Sequence, residues 1–144
     1  MKISDILGKK GRFVVTIPPD RTVLEAIQLL VEKNIGSVVV TNDESILGIL
    51  TERDILRLST DQHRDLDRLR VSEAMTSDVV TASPDDEISH VMEVMTENRV
   101  RHLPVLADDA LAGILSIGDV VNALRESVQN ENHHLKKYIQ GAVY

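Results

Sequence analysis

The chain has 144 residues, 42% of them apolar and 27% charged, and its 16 Lys and Arg against 23 Asp and Glu leave a formal charge of −7. That length fits one ordinary domain or two small ones sharing a core, and the acidic balance argues against a nucleic-acid or anionic-membrane surface, since both need a basic excess. Without cysteine there are no disulfides, thiolate metal sites or cysteine nucleophile, and three aromatics (Phe13, Tyr138, Tyr144) make neither a base-stacking platform nor an aromatic cage.

The N-terminal MKISDILGKKGR lacks the apolar core of a signal peptide, and no apolar run reaches the ~18 residues that span a bilayer, so a cytoplasmic protein is expected. VVTI (14–17) is a β-branched run closed by Pro19, the pattern of a strand entering a turn. Val23, Ala26, Ile27 and Leu30 then recur at i, i+3, i+4 and i+7, one face of a helix, with Asp20 as its cap or first-turn acid. SVVV (37–40), the polar turn TNDES (41–45) and ILGIL (46–50) read as two strands joined by a turn, buried on both faces because their apolarity is continuous. After Thr51 a second helix begins, with Ile55 and Leu56 as apolar positions. STDQHRDLDRLR (59–70) is charged and free of Pro and Gly, which predicts a solvated helix extension and linker.

From residue 79 the same order returns. Adding 65 to positions 14–54 aligns them with 79–119 without a gap, with Val14/Val79, Val15/Val80, Pro19/Pro84, Gly48/Gly113 and Asp54/Asp119 among the identities. Ile88, Val91, Met92 and Met95 repeat the helical stripe, which marks both methionines as core, and Asp85 repeats Asp20. Upstream, Ile3 to Leu7 echo Val71 to Met75 at an offset of 68, so the first copy carries three extra residues within GKKGRF (8–13). Each copy reads β-α-β-β-α, and a unit of about 50 residues buries too little apolar surface to stand alone. The expectation is an α/β (α+β) fold of two such repeats packed as a pseudo-twofold pair: repeat 1 at 1–60, a linker at 61–69, repeat 2 at 70–127 and a C-terminal helical tail at 128–144.

GILTERDIL (48–56) and GILSIGDVV (113–121) repeat one strand-to-helix corner. A hydroxyl followed three residues later by an acid is capping-box grammar, which alone explains Thr51/Asp54 and Ser116/Asp119. A helix start also offers free N–H groups to phosphate, and a carboxylate can accept both hydroxyls of a ribose. Asp is shorter than the Glu or Gln usual in a capping box and is expected to close it less well. Gly48 and Gly113 would let a flat ring approach the backbone.

The duplicated Gly-apolar-x-Thr/Ser-x-x-Asp pattern, together with NRVRHLPV (98–105), resembles a tandem pair of CBS (cystathionine β-synthase) domains, a stand-alone Bateman-type module, from about Ile3 to about Leu124. The resemblance implies a regulatory module with no catalytic residues, binding an adenosine-containing ligand in two clefts between the repeats: AMP, ADP, ATP or NAD(H), and less readily S-adenosylmethionine. Carried over by motif, Asp54 and Asp119 would hold ribose hydroxyls, and Thr51 and Ser116 would meet ribose or phosphate oxygens. Main chain at Thr16, Ile17, Thr81 and Ala82, with Ile35 and Val100, would sandwich adenine. Arg101 and His102, followed by Pro104, match positions that often carry phosphate-binding cations. The first copy has Gly36 and Ser37 there, and Arg53 is matched by Gly118, so the sites are expected to differ. Which cleft receives Arg101 is left open. The resemblance further implies a homodimer and a regulated protein in trans, with no nucleic acid and no membrane as partners. A nucleotide-hydrolysing enzyme on this scaffold and a purely structural dimerisation module remain as alternatives.

The chain contains no Gly-x-Ser-x-Gly elbow, no G-x-G-x-x-G fingerprint and no Walker loop, so bound NAD would be held by its adenosine half. His133 and His134 point about 100° apart on a helix with no third ligand, so no metal site is expected; His90 reads as a surface residue. Leu135, Tyr138 and Ile139 (i, i+3, i+4) give a short amphipathic tail helix stopped by Gly141, packed on its own domain or used in a dimer contact.

Overall fold

Residues 1–43, 45–61 and 65–143 are described in the computed structural model, without the side chains of 137, 138 and 140–143. In chain order the elements are α1 (Ile3–Lys10), β1 (Thr16–Ile17), α2 (Val23–Lys33), β2 (Ser37–Asn42), β3 (Ser45–Thr51), α3 (Glu52–Leu58), α4 (Val71–Ala74), α5 (Ile88–Asn98), β4 (His102–Ala107), β5 (Ala110–Ser116) and α6 (Ile117–Val143). The β-α-β-β-α order of the first copy is complete. β1 pairs parallel to β2, and β2 pairs antiparallel to β3.

In the second copy the hairpin of β4 and β5 keeps the same register, but its first strand shrinks to one parallel bridge between Ala82 and Val105. Pro104 supplies the reason. Its counterpart Val39 donates its N–H to the Val15 carbonyl at 3.2 Å, and proline has no N–H to give. What remains is the Ala82 N–H on the Pro104 carbonyl (3.0 Å) and the Leu106 N–H on the Ala82 carbonyl (2.8 Å).

The predicted helix faces are the buried ones. Ala26 and Leu30 pack under the first sheet, Val23 is fully buried at the start of the same stripe, and Ile88, Val91 and Met95 pack under the second. Both helices end on a left-handed residue, Asn34 (φ 53°) and Arg99 (φ 54°), again 65 apart. Asn tolerates that conformation and Arg does so at a cost. The second hairpin turns on Asp108 and Asp109, both with positive φ, as a two-residue primed turn requires.

The short helix ahead of each copy packs on the other copy. Ile3, Ile6 and Leu7 of α1 belong to the core of α5, β4, β5 and α6, and the amides of Ile3 and Ser4 donate to the carbonyls of Asp86 and Pro84. Val71 of α4 is buried among Ala26, Leu30, Val38, Val40 and Leu50, with Val71 N–H on the Arg21 carbonyl. Thr76, just after α4, exchanges both backbone hydrogen bonds with Ile49 (2.9 Å each) and extends the first sheet beyond β3. The two copies are thereby tied into one body, as the small size of each core demands.

Four local expectations are corrected. The N-cap of α2 is Thr22, whose Oγ1 accepts from Glu25 N–H at 3.1 Å, and that of α5 is Glu87; Asp20 and Asp85 lie in the turns before them. Helix α3 ends at Leu58, so the charged segment that follows does not extend it; residues 62–64 within that segment lie outside the described residues. The tail is no separate helix, because α6 runs unbroken past Gly141 to Val143 and across the expected 127/128 boundary. Nor does it fold back onto its domain at Leu135 and Ile139, which are 58% and 60% exposed; the side chain of Tyr138 lies outside the described residues.

Candidate functional site

Both corners form closed capping boxes. Thr51 Oγ1 accepts from Asp54 N–H (3.3 Å) while Asp54 Oδ2 accepts from Thr51 N–H (2.9 Å). Ser116 and Asp119 do the same at 3.2 and 2.8 Å. Asp therefore closes the box fully, contrary to expectation. The glycines also have another role than expected. A Cβ on Gly48 would lie 2.6 Å from Met75 Sδ and 2.7 Å from the Thr76 carbonyl, and one on Gly113 would lie 2.7 Å from Leu7 Cδ2. They make room for the exchanged helices.

Two clefts open between the copies, related by the same offset of 65. The first is a cavity of about 540 Å³, whose walls include Thr51, Arg53, Asp54 and Arg57 from one copy and Val79, Val80, Val100, Arg101 and His102 from the other. The second, of about 420 Å³, is walled by Ile114 and Ser116 opposite Val14, Val15, Ile35, Gly36 and Ser37, with Lys10, Phe13 and Lys33 at its side.

The question of Arg101 is thus answered geometrically: it lines the cleft of Thr51 and Asp54, and His102 lines both. Of the expected residues, the first cleft gathers Thr51, Arg53, Asp54, Val100, Arg101 and His102, and the second gathers Ile35, Ser116 and His102. Thr16, Ile17, Thr81 and Pro104 line neither cavity. Ile17 and Pro104 are buried in the sheets, and the walls are made by Val14, Val15, Val79 and Val80 just upstream. Asp119 is absent from the walls of the second cavity, whereas Asp54 stands in those of the first.

The electrostatics differ accordingly. Asp54 Oδ2 accepts from the Thr51 hydroxyl (3.1 Å) and Oδ1 from the Thr76 hydroxyl (3.3 Å), neutral partners that a ligand hydroxyl can exchange with. Arg53 reaches across the cleft to the Arg99 carbonyl (2.9 Å), and Arg57, Arg99 and Arg101 also line it, so four arginines outnumber the carboxylates of Glu52, Asp54 and Asp78. Asp119 instead receives the Lys10 ammonium at 2.6 Å. Burial pushes the Asp119 carboxyl up, but the hydrogen bonds from Lys10 and from the Ser116 amide outweigh it and hold it below its ordinary value. His102 is held below its ordinary value chiefly by burial, with Glu52 opposing. Its ring lies over Gly36, where a Cβ would come within 2.9 Å of Nε2.

The family model "CBS domain" matches residues 3–61 and again 71–126. The chain belongs to the CBS domain family. It is 35% identical to the mitochondrial CBS domain-containing protein CBSX3 of Arabidopsis thaliana, over 96% of this chain and 72% of that protein. Its fold matches the crystal structure of the CBS-domain protein ATU1752 from Agrobacterium tumefaciens with a TM-score of 0.82 and 44% identity, over 85% of this chain and 98% of that one. It also matches the CBS domain pair of protein MJ0100 in complex with 5-methylthioadenosine and S-adenosyl-L-methionine, at TM-score 0.76 and 25% identity over 86% and 99% of the two chains. No helix among the described residues is long and apolar enough to cross a membrane.

Sequence reasoning missed Arg57, Thr76, Arg99, Lys10, Phe13 and Lys33. Arg99 belongs to the segment NRVRHLPV, and Lys10 to GKKGRF, the segment that contains the three extra residues; that insertion is the signal pointing to it. Lys33 is the end of a helix stripe followed only for its apolar face.

Proposed function

We propose that this CBS pair is a non-catalytic sensor of adenine nucleotides that acts on a separate protein. The observation that carries the reading is Asp54: a carboxylate held by a capping box, facing a cavity between the copies and ringed by Arg53, Arg57, Arg99 and Arg101. An ionised carboxylate suits the two hydroxyls of a ribose, and arginines suit phosphate oxygens bidentately. Val79, Val80 and Val100 supply an apolar slot for a purine. AMP, ADP, ATP and NAD(H) are the expected ligands of this basic cleft, with S-adenosylmethionine less favoured because its sulfonium adds positive charge to a basic wall. A ligand spanning both copies changes their relative packing only through unequal affinity for two states, and that shift is what a partner would read. A cytoplasmic location fits such a role. We also propose self-association as a homodimer: Leu56 and Val121, equivalent in the two copies, and Val128 on α6 are 69%, 42% and 55% exposed.

One observation favours a second reading, a structural module: in both corners the hydroxyl and the carboxylate are already engaged by each other's backbone N–H, which helix capping alone accounts for. Thermal denaturation with each nucleotide separates the two. At a hundredfold excess over Kd a native-state ligand adds about 2.7 kcal/mol, a rise of roughly 5–10 °C here. A melting temperature unmoved by all five ligands would leave the structural reading standing. In calorimetry, Asp54→Ala should weaken one binding event by about 1.5–3 kcal/mol.

A further inference from the structure

The carboxylates of the two clefts have the same caps and different guards. In the first cleft Thr76 supplies the flanking donors, its N–H to the Ile49 carbonyl at 2.9 Å and its hydroxyl to Asp54 Oδ1 at 3.3 Å. In the second, one ammonium takes both places. Lys10 Nζ donates to the Ile114 carbonyl at 2.8 Å, Ile114 being the counterpart of Ile49, and to Asp119 Oδ2 at 2.6 Å.

The insertion in the first copy makes this geometry. Helix α4 stops at Ala74, whose counterpart is Ile6, but α1 continues one turn further to Lys10 before Gly11 ends it at φ +97°. That extra turn carries the ammonium over Asp119. Lys10 then walls the cavity in place of the carboxylate behind it. The pair is partly shielded, the side chains of Lys10 and Asp119 being 34% and 23% exposed.

We infer that Lys10 is an ionic latch that closes the second cleft to neutral nucleosides and yields to ligands carrying a phosphate. The inference rests on the nucleotide reading above and deepens it. A nucleoside offers only hydroxyls for Asp119, and drawing the ammonium off the carboxylate would leave both charges short of a partner in a half-buried place. A phosphate gives the ammonium a second anion, so Lys10 swings to it and Asp119 is freed for the sugar. The cleft has Gly36 where the other has Arg101, so Lys10 and Lys33 are the ammonium groups on its wall to meet that phosphate.

Calorimetry of the full chain with adenosine and with AMP, on the natural protein and on Lys10→Met, tests this. The natural protein should bind adenosine once, in a step lost on Asp54→Ala, and AMP twice. Lys10→Met should gain a second adenosine step while its second AMP step weakens about tenfold or more. Unchanged adenosine stoichiometry in the variant, or a tighter second AMP step, overturns the latch. Carbon-detected NMR of the ligand-free proteins checks the contact by itself: the Asp119 carboxyl should titrate higher in Lys10→Met. An unchanged titration overturns the latch and leaves nucleotide binding untouched; no heat from either ligand with either protein overturns the nucleotide reading and the latch's selectivity with it.

Discussion

Asp54 and Asp119 occupy the same turn of the same corner and close the same capping box, yet one faces an open basic cavity and the other lies behind an ammonium. Duplication delivers the scaffold in two copies, and the places where the copies differ decide how each is used. A three-residue insertion ahead of β1 puts Lys10 on Asp119. At the start of β2, Gly36 and Ser37 stand where the other copy has Arg101 and His102, so the second cleft has no counterpart of Arg101 and shares His102 with the first. Chemically, the first cleft offers guanidinium groups around a carboxylate whose partners are hydroxyls. The second offers flexible ammonium groups and a carboxylate already paired.

The comparison is broken most severely through the exchanged helices. Leu7 and Met75 are equivalent residues, but Leu7 is 1% exposed in the core of the second copy while Met75 packs at the margin of the first. Leu7→Ala should cost about 3–4 kcal/mol and Met75→Ala about 2 kcal/mol, within the usual range for truncating such side chains. Denaturant unfolding measures the cost. Hydrogen exchange should accelerate first in β4 and β5 for Leu7→Ala and in β2 and β3 for Met75→Ala. The reverse pattern would contradict the crossed packing.

The two motif glycines sharpen the same contrast. An added Cβ at Gly48 meets the backbone carbonyl of Thr76, which is fixed by its pairing with Ile49, whereas at Gly113 it meets only the Leu7 side chain. Gly48→Ala should therefore destabilise by about 2–3 kcal/mol and Gly113→Ala by about 1 kcal/mol. Equal losses would mean that the Thr76 backbone gives way as easily as a leucine methyl.

Much of this was legible in the sequence because period and repetition are local signals. The stripe Val23, Ala26, Leu30 and its copy gave both helices, and the offset of 65 gave both corners. Three things were not legible for physical reasons. Whether a strand survives depends on one missing N–H at Pro104, which matters only once its neighbour is known. The cavity walls are Val14 and Val15 and not Thr16 and Ile17, because strand register decides which residues stay in the sheet. The partner of Asp119 lies more than a hundred residues away in sequence, and the crossed helices that bring it there leave no trace in either repeat alone.

The smallest expected effect lies where the clefts meet. His102 lines both cavities and its ring rests on Gly36, while the equivalent pair in the sequence is Ser37 and Arg101. Burial holds His102 below its ordinary pKa, so folding favours its neutral form. The unfolded chain then binds the extra proton first, and stability rises with pH across that window. The contribution is fully present above the unfolded value of about 6.5 and is lost as pH falls from there through the lower folded value. His102→Ser, which copies Ser37, should flatten the melting temperature between pH 5 and 7 relative to the natural protein. Gly36→Ala should destabilise the natural protein slightly, by about 1 kcal/mol, since the ring must move, and should cost nearly nothing in the His102→Ser background. If the two substitutions add without coupling, His102 does not occupy the space above Gly36, and the junction between the clefts is arranged differently.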